Sequence, residues 1–161
     1  MTNECHNRMK ITGPISEITR FKQTCIRTVY ENEQAQFDFN AIDPMPDFFV
    51  DNAAQPYDPR LKAEFDWRVE HWGTKWNAYD FHVTVDAPGC FECDFETAWG
   101  PPIPVWEKMA KMFPALEFTL SGCEPMNFAF EGTIQGGKFE LEMKHVPFEP
   151  TDPKTGETIS D

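Results

Sequence analysis

Two runs of strict alternation, residues 79–86 and 91–97, constrain the fold more than any other part of this chain. Tyr79, Phe81, Val83 and Val85 are separated by Asp80, His82, Thr84 and Asp86, and Phe91, Cys93, Phe95 and Thr97 by Glu92, Asp94 and Glu96. A period of two buries one side of a strand and wets the other. Ala87-Pro88-Gly89 between them is turn chemistry, so the two runs read as one hairpin. A three-residue loop would set Phe81 against Phe95, Val83 against Cys93 and Val85 against Phe91 inside. Outside, His82 would oppose Asp94, and Asp80 would oppose Glu96.

The remaining chain supplies partners for that hairpin. Met9 and Ile11 alternate with Arg8, Lys10 and Thr12 in a first strand, which Gly13-Pro14 ends while opening a helix. Ile15, Ile18, Phe21, Cys25, Ile26 and Val29 give that helix one apolar face. Residues 31–58 read as a proline-interrupted insert, with Phe37–Asn40 expected as a short strand. A second helix is expected from Pro59, because Leu61, Phe65, Val69 and Trp72 recur at helical spacing until Gly73 stops it. Pro104 precedes a third helix carrying Val105, Trp106, Met109, Met112 and Phe113. Leu116, Phe118 and Leu120 then make a strand, and Gly136-Gly137 joins a final hairpin. The sum is an α+β two-layer sandwich, an antiparallel sheet with helices on one face. It occupies 1–146 as a single domain. Residues 147–161, with three prolines and four acids, read as an acidic mobile tail.

Composition narrows the function classes. With 161 residues the chain can bury a core without staples. Its apolar runs are far below the ~18 residues of a membrane span, and its first residues lack a secretion pattern. Five cysteines without an export signal read as reduced thiols in a cytoplasm. Lys+Arg 14 against Asp+Glu 27, a net charge of −13, speaks against direct binding of nucleic acid or anionic membranes. Oligomeric state is left open.

Cys90-Phe91-Glu92-Cys93 has the spacing of a zinc knuckle, but no second pair accompanies it, and plain packing of both thiols is the better reading. No nucleophile elbow, phosphate-cradling loop or paired-histidine motif occurs. Gly132–Gly137 leads into a strand rather than a helix, so it lacks the helix N-terminus a phosphate loop uses. The chain therefore reads as non-catalytic, with no cofactor and no metal.

Two surfaces remain. One is acidic: Asp80, Asp86, Glu92, Asp94 and Glu96, with His82 among them, lie in a stretch without Lys or Arg. They are either a solubilising face, partly offset by Arg8 and Lys10, or an imitation of nucleic-acid phosphates that docks a basic host protein. Opposed like charges such as Asp80 and Glu96 call for compensation, and Asp94 would favour the charged form of His82. The other surface is cationic and aromatic: Arg68, His71, Trp72, Thr74, Lys75, Trp76, Asn77 and Tyr79, with Trp99 at its border. Aromatic planes beside a cation and amide donors suit a nucleobase and its phosphate. Equally, both tryptophans could seal the junction of helix and sheet.

Several blocks also resemble one family. They are residues 3–7 and 11–14, Phe37–Asn40 with Pro44-Met45-Pro46, Trp72-Gly73-Thr74-Lys75-Trp76-Asn77-Ala78, Thr97-Ala98-Trp99-Gly100-Pro101-Pro102, and Phe113-Pro114. Together they resemble the YubB-type ferredoxin-like proteins of plasmids and phages. The resemblance, which runs to about residue 145, implies a ferredoxin-like sandwich and a mobile-element origin. It implies no reaction. The expectation is a binding protein, plausible as a counter-defence factor that captures a nucleotide-like ligand at the 68–79 turn.

Overall fold

The computed structural model describes residues 3–28, 33–48, 59–125 and 127–145. Strand β1 (Glu4–Thr12) leads into helix α1 (Ile15–Cys25), and a short ribbon comes next, β2 (Ile26–Thr28) with β3 (Ala35–Phe37). Helix α2 (Pro59–Trp72) precedes the hairpin β4 (Tyr79–Ala87) and β5 (Cys90–Ala98), then α3 (Ile103–Met112). The described residues close with a meander of β6 (Glu117–Glu124), β7 (Phe128–Gln135) and β8 (Lys138–His145). One six-stranded sheet runs β4-β5-β1-β6-β7-β8, with every neighbouring pair antiparallel. Without the β2–α2 insert and the β7–β8 hairpin, the remainder is β-α-β-β-α-β with β1 central, the split β-α-β arrangement of a ferredoxin-like sandwich.

The pleat decides the core. Cys5, Asn7, Met9 and Ile11 of β1 turn inward beside Phe91, Cys93 and Phe95 of β5 and Phe118 and Leu120 of β6. Phe21 of α1 packs edge-on to Phe113 and Phe118, at 5.3 and 5.9 Å between centroids, and reaches Phe37, which stacks on Phe95 at 5.3 Å. Such rings contribute beyond the area they bury. Trp106 and Met109 of α3 close the other half of the layer.

Three sequence expectations are corrected. The first helix stops at Cys25; Ile26 opens β2 instead, because a β-branched residue at an apolar position fits either period. Val29 lies outside the described residues, as do residues 49–58 of the insert and the tail 147–161. Phe37–Asn40 is not one strand: β3 ends at Phe37, and the Asp38 carboxylate accepts from the Asn40 N–H to start a 3₁₀ turn over Phe39–Ala41. In the hairpin, only the pairs His82–Asp94 and Val83–Cys93 match the expected register. Pro88-Gly89 forms a two-residue turn, so Val85 meets Glu92 and Asp86 meets Phe91. Irregularities on either side of the matched pairs then bring Tyr79, not Asp80, opposite Glu96. Val83, although it pairs with buried Cys93 as expected, stands exposed rather than in the core. By contrast, the Gly136-Gly137 hairpin pairs as read, Gln135 opposite Lys138.

Candidate functional site

The turn after α2 is built by residues that face inward. Gly73 ends the helix at φ +77°, and a β-carbon there would stand 2.8 Å from the Pro104 ring. Arg68 reaches forward from the helix and donates from Nε to the Lys75 carbonyl at 2.5 Å. Thr74, fully buried, donates its hydroxyl to the Trp76 carbonyl at 2.6 Å. Asn77 Oδ1 accepts from the Phe39 and Ala78 N–H groups at 3.0 and 2.9 Å, and its amide donates to Asp38 at 2.8 Å. Trp72 lies in the core against Phe39, its indole N–H donating to the Asp43 carbonyl at 2.9 Å. His71 stacks on Trp67 at 4.4 Å and meets the Asp43 carboxylate at 3.2 Å, which Lys108 also grips.

Of the residues expected to touch a ligand, Arg68, Thr74 and Asn77 are engaged in and around the turn, Trp72 lies in the core against Phe39 with its indole on Asp43, and His71 also meets Asp43. Tyr79 belongs to the sheet end instead. It pairs with Glu96, and burial together with Glu4 and Glu96 pushes its phenol far up. Lys75, Trp76 and Trp99 remain outward. The Lys75 ammonium sits 4.3 Å from the Trp76 ring centre and 5.4 Å from that of Trp99. Among the described residues it meets no carboxylate within ion-pair distance.

Trp99 holds an unusual backbone for a bulky residue, φ +76°. The bend is fixed from three sides. The Trp99 N–H donates to Asn3 O at 2.8 Å, Thr97 donates its hydroxyl to the Gly100 carbonyl at 2.6 Å, and buried Asn7 donates to that hydroxyl oxygen at 3.0 Å. The indole is thereby turned out onto α2, where it meets Phe65 edge-on at 5.8 Å.

That contact joins the turn to residues that the sequence reading assigned otherwise. Leu61, Phe65 and Val69, expected to supply the inner face of α2, are 61%, 37% and 38% exposed, beside Trp76 at 42% and Trp99 at 41%. The helix is seated instead by half-buried Trp67, Arg68 and His71, one turn-face away. The signal was present: Trp67 is the larger ring, and 67, 68 and 71 share a face as well as 61, 65 and 69 do. The result is an exposed apolar and aromatic patch with one cation at its end.

The acidic face is less uniform than its sequence suggests. Across β1, Glu96 stands opposite His6, Asp94 opposite Arg8 and Glu92 opposite Lys10, while Asp86 pairs with Lys22 at 2.8 Å. Only the end near Asp80 concentrates acid. There Asp80, at φ +50° beside the bulge, shares a hydrogen bond with Glu96. Burial, the Glu4 charge and that bond raise the Glu96 carboxyl, and His6 at 2.8 Å opposes the rise. The depression over this end, about 400 Å³, is lined by His6, Arg8, Asp80, His82, Asp94 and Glu96 among others. Among the described residues no three His, Cys, Asp or Glu side chains converge as a metal site. Cys93 is buried and Cys90 half-buried. Among the described residues no helix is long and apolar enough to cross a membrane.

Comparison with known proteins bears on the fold. Residues 71–144, the turn and the sheet beyond it, match a family model described as a ferredoxin-like domain in Api92-like protein. The chain is similar to the crystal structure of a protein Api92 from Yersinia pseudotuberculosis, with 8% identity and a TM-score of 0.60, over 93% of this chain and 100% of that one. No curated protein matches it. Strand order, helix placement and both comparisons agree that this chain has the ferredoxin-like α+β fold.

Proposed function

We propose that the chain is a non-catalytic binding protein that captures a nucleotide-like ligand on Lys75, Trp76 and Trp99. The observation that carries the reading is the Lys75 ammonium held between two outward indoles with no acid of its own among the described residues. A base can stack on an exposed indole face, and a phosphate can draw the ammonium off the ring for a charge-assisted hydrogen bond. Arg68, Thr74 and Asn77 support this site through the turn rather than by touching the ligand. The resemblance of 72–78 and 97–102 to YubB-type proteins supports a mobile-element setting, in which the natural target is a host defence nucleotide in the cytoplasm. The alternative, an acidic sheet face docking a basic host protein, has weaker support, since Arg8 and Lys10 interrupt its carboxylates.

A thermal-shift panel of mono-, di- and cyclic nucleotides tests the proposal. Stabilisation grows as RT ln(1 + [L]/Kd), about 2.7 kcal/mol at a hundredfold excess over Kd. Lys75→Ala and Trp76→Ala are expected to abolish the shift while leaving the free protein's melting temperature nearly unchanged. A panel without any shift, or one the two variants leave intact, sinks the site.

A further inference from the structure

The outward stripe of α2 is symmetric about its middle residue. Leu61 and Val69 lie four residues to either side of Phe65, about 6 Å along the helix axis in each direction. The three side chains make one ridge of the helix surface, all of them exposed, and Trp99 borders it edge-on to Phe65. A contiguous apolar surface on so charged a chain marks contact with another molecule.

Charge decides which molecule. Over residues 61–76 the chain carries Lys62, Arg68 and Lys75 against Glu64, Asp66 and Glu70, a balance of signs, whereas the whole chain carries −13. A balanced surface offers no surplus of acid to a basic partner and no surplus of base to an acidic one. It does complement itself. With α2 laid antiparallel on a second copy and the two-fold axis at Phe65, Leu61 meets Val69 and the two Phe65 rings meet each other. Lys62 then falls between Asp66 and Glu70 of the second copy. Within its own helix Lys62 already pairs with Asp66 at 2.6 Å, and both side chains are well exposed, so the attraction extends across the axis without burying a lone charge.

We propose that Leu61, Phe65 and Val69 of α2 form an isologous contact between two copies of this chain. The contact is weak by construction. A standard interface buries about 800 Å² on each side, more than one helix ridge and its flanks supply, and the two copies repel through their remaining charge. The dimer therefore forms reversibly at high concentration, and the monomer prevails in dilute solution. Salt acts in a diagnostic direction, because it screens the repulsion and leaves the apolar contact in place. The contact uses the α2 ridge and stands apart from the nucleotide reading, which needs Lys75, Trp76 and Trp99.

Sedimentation equilibrium of the full chain, from about 5 µM to about 0.5 mM, reads the association directly. The expected result is a monomer–dimer equilibrium that is severalfold tighter in physiological salt than in low salt. Phe65→Lys sets two ammonium groups on the axis and should weaken the dimer at least about tenfold. Val69→Gln should weaken it less, and it stands in if the first variant folds poorly; melting temperatures of the dilute proteins check folding. Mixing Leu61→Cys protein with Val69→Cys protein under mild oxidation should link position 61 to position 69, with the parent chain as the background for its own cysteines. A monomer across the whole range overturns the proposal, as does a dimer that both ridge variants leave intact. A dimer that salt loosens, or one linked 61 to 61 in place of 61 to 69, overturns it as well.

Discussion

Asp38 and Glu96 show how one functional group, the carboxyl, is shifted in opposite directions by its surroundings. Burial pushes the Asp38 carboxyl up, but hydrogen bonds from Asn77, Arg27 and the Asn40 N–H, with the Arg27 charge, leave it below its ordinary value. Its contribution to stability is present above the ordinary value of 3.8 and is lost as pH falls through the folded-state value. For Glu96, raised above 4.5, the sign reverses: its contribution is present below that value and is lost as pH rises. In urea titrations across a pH series, Asp38→Asn should flatten the acid limb and Glu96→Gln the limb above pH 4.5. Equal slopes in variant and parent would refute either assignment. Trp99 makes a different case. A left-handed backbone costs a bulky residue about 1–3 kcal/mol, so Trp99→Gly should cost less than about 1 kcal/mol despite losing an indole. Trp106→Ala in the core should cost about 3–5 kcal/mol in the same denaturation experiment.

Among elements, α2 carries the clearest test. Phe65→Lys and Val69→Gln, on its outward stripe, should change stability by less than about 0.5 kcal/mol. Trp67→Ala, which removes the ring packed on His71 and Trp72, should cost several times more. Equal losses would mean the stripe is packed. The same helix shows where a sequence stops being legible. Its start, end and type follow from Pro59, the apolar spacing and Gly73. Its inward face does not, because Leu61-Phe65-Val69 and Trp67-Arg68-His71 are both self-consistent helical rows, and only the tertiary partners Asp43 and Met45 choose between them. The β4–β5 hairpin repeats the lesson. Alternation reveals both strands, yet a two-residue turn and the irregular pairing along β4 shift the register at each end of the matched pairs, and alternation carries no record of a bulge. At the site, Lys75, Trp76 and Trp99 were legible as an aromatic–cation cluster. Thr74, Asn77 and Arg68 have internal partners that the sequence did not reveal, because turn-building and ligand-binding call on the same polar groups.

For the whole molecule, the net charge of −13 sets the balance. Self-repulsion among surface carboxylates falls as salt shortens the screening length from about 30 Å at 0.01 M to about 8 Å at 0.15 M. The melting temperature should therefore rise over that interval. A fall would indicate that cross-strand pairs such as Arg8–Asp94 and Lys10–Glu92 outweigh the repulsion.

Among the described residues the six-stranded sheet ends at β4 and at β8, and each margin is guarded. β4 is broken by irregular pairing with Asp80 turned against the pleat, and β8 alternates Lys138, Glu140, Glu142 and Lys144 along its length. Margins of that kind refuse an incoming strand by misalignment on one side and by charge on the other. Edges so guarded disfavour fibril templating on these two strands in a chain with fifteen phenylalanines.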